Sequence, residues 1–110
     1  MEDIIKGRTK VITVPVTQSG VVLDLTGYEA KLTIALGSGV TPVLTKAGVI
    51  STPATGVMSF TLNPSDTKDI EVTNYKVEVN IWKTADKTKI YPVVRDSVSF
   101  VNALVDDPTV

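Results

Sequence analysis

From Tyr28 to Leu36 the chain alternates apolar and polar side chains. Tyr28, Ala30, Leu32, Ile34 and Leu36 fall on one side, and Glu29, Lys31, Thr33 and Ala35 on the other, which is the period of a half-buried strand. Asp24, Thr26 and Gly27 supply the turn before it, with short polar side chains to bond nearby backbone and a glycine that tolerates positive φ. The same period runs through residues 10–17, where Ile12, Val14 and Val16 oppose Val11, Thr13, Pro15 and Thr17. Pro15 has no N–H for a ladder and predicts a sheet edge there, with a bulge as the alternative. In residues 57–62, Met58, Phe60 and Leu62 point inward. From residue 75 on, Tyr75, Val77, Val79 and Ile81 share a face, and Val98 and Phe100 are the inward pair of a last strand over 97–101. Shorter extended pieces are predicted at 4–6, 21–25 and 88–94, and a rim hairpin within 40–50 around Thr45 to Gly48.

Breaks separate these runs at Gly7-Arg8, Gln18-Ser19-Gly20, Gly37-Ser38-Gly39, residues 51–56 (STPATG) and Ala85-Asp86-Lys87. Asn63-Pro64-Ser65-Asp66 reads as a helix start, with a cap, a proline at the first helical position and an acid three residues on. One helical turn is predicted near 64–69, ending by Ile70. The pattern as a whole predicts an all-β domain, a two-sheet antiparallel sandwich of about 8 strands, with a small barrel as the alternative.

Composition narrows this further. With 110 residues the chain forms one domain, large enough to bury roughly 65% of its unfolded surface without staples. Residues 1–101 are assigned to the domain and 102–110 to a tail or linker. Eleven basic and twelve acidic residues leave a net charge of −1, which gives no electrostatic reason for a nucleic-acid partner. No apolar run is long enough for a membrane span, and MEDIIKGRTK lacks the apolar core of a secretory signal. The expectation is a soluble, unprocessed chain with no membrane partner.

The chain contains no histidine and no cysteine, so Ser-His and Cys-His nucleophile systems and thiolate metal sites are excluded. No catalytic, cofactor or metal residue is assigned. Asp66 and Asp69 favour the positive end of a helical turn, and Asp106 and Asp107 fall in the tail without the spaced oxygens of a calcium loop. Lys83, Lys87 and Lys89, with Lys76 before them, read as a solvated hairpin because Glu78 and Asp86 lie among them. No phosphate-loop pattern occurs. Trp82 stands out because alternation puts it outward with Lys76, Glu78 and Asn80. It is either a contact residue or is covered through a bulge or by the tail.

Asp24-Leu25-Thr26-Gly27 followed by an alternating strand resembles the Ig-like N-terminal domain of phage baseplate upper proteins and related phage tail and head fibre proteins. The resemblance extends to IIKGRT at residues 4–9, the strand of residues 10–17, Thr55-Gly56 before a strand, and Asn74 through Val79. It covers roughly residues 4–101. It departs at Arg8, where that family more often carries an acid, and at Ala85-Asp86-Lys87, which lacks the usual glycine. The resemblance implies an Ig-like β-sandwich. Tyr75 then stands where such folds carry a tyrosine corner, its hydroxyl bonded to upstream backbone, the alternative being an ordinary core tyrosine.

The resemblance also implies a virion structural protein, an attachment or adaptor domain assembled in the host cytoplasm. It would act by contact with other virion structural proteins and as a homo-oligomer, trimer or higher, without catalysis or cofactor. Candidate contact residues are Trp82, the segment Asp3, Ile4, Ile5 and Lys6, and the tail, with Leu104, Val105 and Val110. Two other readings are a carbohydrate-binding module, for which six aromatics are few, and an accessory domain of a larger surface protein.

Overall fold

The computed structural model describes residues 3–104, and among them the chain is mostly β. Nine strands follow in order: β1 (Ile4–Ile5), β2 (Lys10–Pro15), β3 (Thr17–Gln18), β4 (Val21–Val22), β5 (Tyr28–Ala35), β6 (Leu44–Ala47), β7 (Val57–Leu62), β8 (Asn74–Lys83) and β9 (Asp86–Val101). A 3₁₀ turn at Pro53–Thr55 precedes β7, and a helical turn, α1 (Pro64–Thr67), follows it. The large sheet has the order β1-β9-β8-β5-β6, β2 pairs with β7, and β3 and β4 form a small hairpin.

The period-two pattern becomes one core shared by both sheets. Ile12 and Val14 from β2 and Met58, Phe60 and Leu62 from β7 meet Leu32 and Ile34 of β5, Val77, Val79 and Ile81 of β8, and Val98 and Phe100 of β9. Directly opposed residues of an antiparallel pair share a face, so the registers Leu32↔Val79 and Ile34↔Val77 align these side chains in rows.

Three local expectations are corrected. β5 stops at Ala35, and Leu36 is exposed rather than inward, because the chain turns away into the Gly37–Gly39 loop. The region of residues 40–50 forms one strand on the rim of β5, not a hairpin, and Val49 then bridges to Ser59 of β7. The two strands predicted over 88–101 are one strand, β9, of 16 residues. Pro92 and the polar run Arg95-Asp96-Ser97 resemble a break in the sequence, but an edge strand tolerates both. The ladder absorbs them with irregularities between Val79 and Asn80 and between Trp82 and Lys83. The sheets are also not wholly antiparallel, since β1 lies parallel to the end of β9.

Pro15 lies on a strand with one partner, as its missing N–H predicts. The helical turn is shorter than predicted, Pro64–Thr67, and Asp66 accepts a hydrogen bond from the Asn63 N–H at 2.7 Å. Its buried Thr67 accepts the Gly7 N–H at 2.9 Å, tying the β1–β2 link to the crossover. Tyr75 donates its hydroxyl to the Glu71 carbonyl at 3.1 Å and sets its ring edge-on to Phe100.

Candidate functional site

Trp82 sits near the end of β8 on the outer face of the large sheet, opposite Glu29 of β5 and Ile90 of β9. It is half-buried. Its Nε1–H donates to Glu29 Oε2 at 3.1 Å, so the polar edge of the indole is engaged within the sheet while part of the ring stays at the surface. Shallow clefts lie on either side. One, of about 460 Å³, is lined by Tyr28, Glu29, Lys31, Ala47, Gly48 and Trp82 among others. The other, about 360 Å³, lies among Lys31, Thr33, Asn80, Trp82, Lys87 and Ile90. Lys83 Nζ stands 5.8 Å from the centre of the Tyr28 ring, within reach of a cation–π contact.

The remaining contact candidates lie elsewhere. Asp3 is exposed just before β1, Ile5 is 47% exposed, and Lys6 is half-buried with its N–H bonded to the Val101 carbonyl. Ile4 is fully buried opposite Phe100 and its side chain belongs to the core, leaving no surface for a partner. Leu104 is fully exposed. Val105 and Val110 lie outside the described residues. The pairing of β1 with the end of β9 sets Ile4 beside Phe100 and Ile5 beside Val101, at the end of β9 from which the chain runs on to Leu104. Trp82 is at the far end of β8 from Asn74, about 26 Å along the strand. The candidates therefore form two groups at opposite ends.

A further surface was not among the sequence candidates. The outer face of the β2–β7 pair displays Val11, Thr13, Pro15, Val57, Ser59 and Thr61, and none of these is charged. Val11 is 55% and neighbouring Val49 57% exposed. The outer face of the large sheet, by contrast, carries Glu29, Lys31, Lys76 and the Glu78–Arg95 pair, 3.7 Å apart. The sequence signal for the uncharged face was the outward set of residues 10–17 and 57–62, which holds only Val, Thr, Ser and Pro.

Asp24, Asp66 and Asp86, outside these surfaces, have local structural partners. A hydrogen bond from Lys46, then one from the Asn63 backbone, holds Asp66 below the ordinary carboxylate value, and Lys46 Nζ is 2.8 Å from its Oδ2. Asp24 and Asp86 are held low by Thr26 and Thr88 respectively. Among the described residues no group of three or more His, Cys, Asp or Glu gathers to hold a metal ion, and no helix is long and apolar enough to cross a membrane. No family model matches the chain, and no curated protein matches it either.

Proposed function

We propose that this chain is a structural assembly domain, an attachment or adaptor module of a phage virion, that works by presenting strand edges and sheet faces to other copies and to neighbouring virion proteins. The observation that carries the assembly reading is the uncharged outer face of β2 and β7, bordered by the open edge of β2. An open strand edge without charges invites pairing with another chain, and the exposed Val11, Val49 and Val57 add apolar surface beside it. The virion context rests on the resemblance around Asp24 to Ala35. The arrangement is read as Ig-like on three features: a five-stranded sheet facing a smaller one, the parallel β1–β9 pair, and the Tyr75 hydroxyl bonded to Glu71.

Phage particles purified from the source strain provide the test. Mass spectrometry and gold-labelled antibody should find the chain in the particles at a fixed copy number. Particles that lack it would overturn the virion reading.

A further inference from the structure

We propose that β2 is a joint between two copies of this chain, which pair their β2 edges antiparallel about a twofold axis and join the two β2–β7 pairs into one four-stranded sheet. The inference deepens the assembly reading above and rests on it.

The Val49–Ser59 bridge ties β7 to the side of the molecule where β6 lies, so β2 is on the opposite flank, toward β9. Among the described residues β7 is its only strand partner. The direction of its backbone groups follows from one bond: the Val16 N–H donates to the Gly56 carbonyl, just before β7, at 2.7 Å. Alternate residues of a strand point their backbone groups the same way, so Ile12, Val14 and Val16 bond toward β7. The N–H groups of Val11 and Thr13, and the carbonyls of Val11, Thr13 and Pro15, face the open flank. Pro15 fits this side because it has no N–H to lose from the β7 ladder.

The other open edges are blunted. β9 has Pro92, two ladder irregularities and Lys87 and Lys89 along its first half. β6 is four residues long, and its Lys46 is drawn to Asp66. Charges, prolines and bulges of this kind discourage strand pairing. β2 also carries a proline, Pro15, but only as its last residue, and it has an unbroken six-residue register with β7 and no charged side chain from Val11 to Thr17.

A second copy suits this edge because the edge complements itself. Centred on Thr13, an antiparallel twofold sets Thr13 against Thr13 of the other copy, with two reciprocal N–H to carbonyl bonds. The Val11 N–H of each copy then meets the Pro15 carbonyl of the other, while the Val11 carbonyl gains no donor there because Pro15 has no N–H. On the core side Ile12 lies beside Val14, and on the outer side Val11 lies beside Pro15, so no like charges are opposed. Each copy has one such edge, and the twofold closes the assembly at two copies.

The test combines light scattering over a concentration series with cross-linking, which the cysteine-free sequence makes clean. The wild type is expected at twice the 11.8 kDa chain mass. Thr13→Lys, at an exposed position, is expected at the single-chain mass with an unchanged circular dichroism spectrum. Under mild oxidation Thr13→Cys is expected to give a disulfide-linked pair, while Thr61→Cys, on the exposed face of β7, does not. If Thr13→Lys fails to fold, the cross-link alone decides. A wild type that stays at the single-chain mass at every concentration, an oligomer that Thr13→Lys leaves intact, or equal cross-linking at Thr13 and Thr61 overturns the joint. A single-chain mass would leave assembly onto a different virion protein standing, since the particle experiment tests that separately.

Discussion

Tyr75 closes the corner between α1 and β8 with a single side chain. Its ring meets Phe100 edge-on at 5.3 Å between centres, and its hydroxyl reaches the Glu71 carbonyl. Burial, with the nearby Glu71 charge adding to it, raises the phenol above its ordinary 10.0. The fold therefore holds the neutral form, and its contribution is fully present below pH 10.0 and lost as pH rises through the higher folded value. Tyr75→Phe keeps the ring and removes the bond, so urea unfolding at neutral pH should show a loss of about 1 kcal/mol and a flatter alkaline decline.

Gly56 is a second single-residue constraint. Its φ is +65°, and a Cβ there would stand 2.6 Å from Val22 Cγ1 and 2.8 Å from the Leu23 carbonyl oxygen. Gly56→Ala should lower stability by about 2 kcal/mol or more through left-handed strain and the backbone clash, read as a fall in thermal midpoint. The inward placement of Tyr75 was legible, because it opens a strand and shares a face with Val77 and Val79. The surroundings of Trp82 were not, because its partner Glu29 is 53 residues away and comes beside it only when β5 pairs with β8.

Among the elements, α1 shows how a short piece is fixed from outside. A helix of four residues is too short to hold itself. Asp66 accepts the Asn63 N–H and pairs across the fold with Lys46 on β6, and Thr67 accepts the Gly7 N–H. Because the Asp66 carboxyl is held below its ordinary 3.8, its contribution is complete above that pH and is lost as pH falls through the lower folded value. Asp66→Asn should lower the thermal midpoint at neutral pH and leave the variant less sensitive to acid than the wild type, measured by melting across an acid series. The start of this turn was legible from Asn63-Pro64, but the clasp to Lys46 was not, since β6 was expected as part of a hairpin. β9 has the same lesson in reverse. Its sequence looks interrupted at Pro92 and at Arg95-Asp96-Ser97, yet the strand keeps pairing with β8 through Pro92 and a bulge.

For the molecule as a whole, pairing sets an order of local stability. β5 and β8 have strands on both sides, while β2 and β6 have one each. Native-state amide exchange should find the slowest amides on β5 and β8, with Val11 and Thr13 fast in dilute protein and slowed at concentrations where copies pair. Equal protection at Val11 and Val79 in dilute protein would contradict this order. Trp82, the only tryptophan, reports on the opposite surface. If that surface binds a virion partner, Trp82→Ala should keep the fold and weaken particle incorporation at least tenfold, while incorporation at the wild-type level removes it from the contact surface.

What the sequence by itself determined is the inward faces of the long strands β2, β5, β7 and β8, because side chains alternate with period two and turns need glycine, proline or short polar residues wherever they occur. It also determined the absence of histidine and thiol chemistry. Only the tertiary structure decided the order of the strands, that β1 runs parallel to β9, and that Trp82 meets Glu29. It alone showed that, among the described residues, β2 has β7 as its one strand partner. The physical reason is that strand order is set by hydrogen bonds between segments far apart in the chain, and no local pattern of side chains specifies which backbone a strand will find.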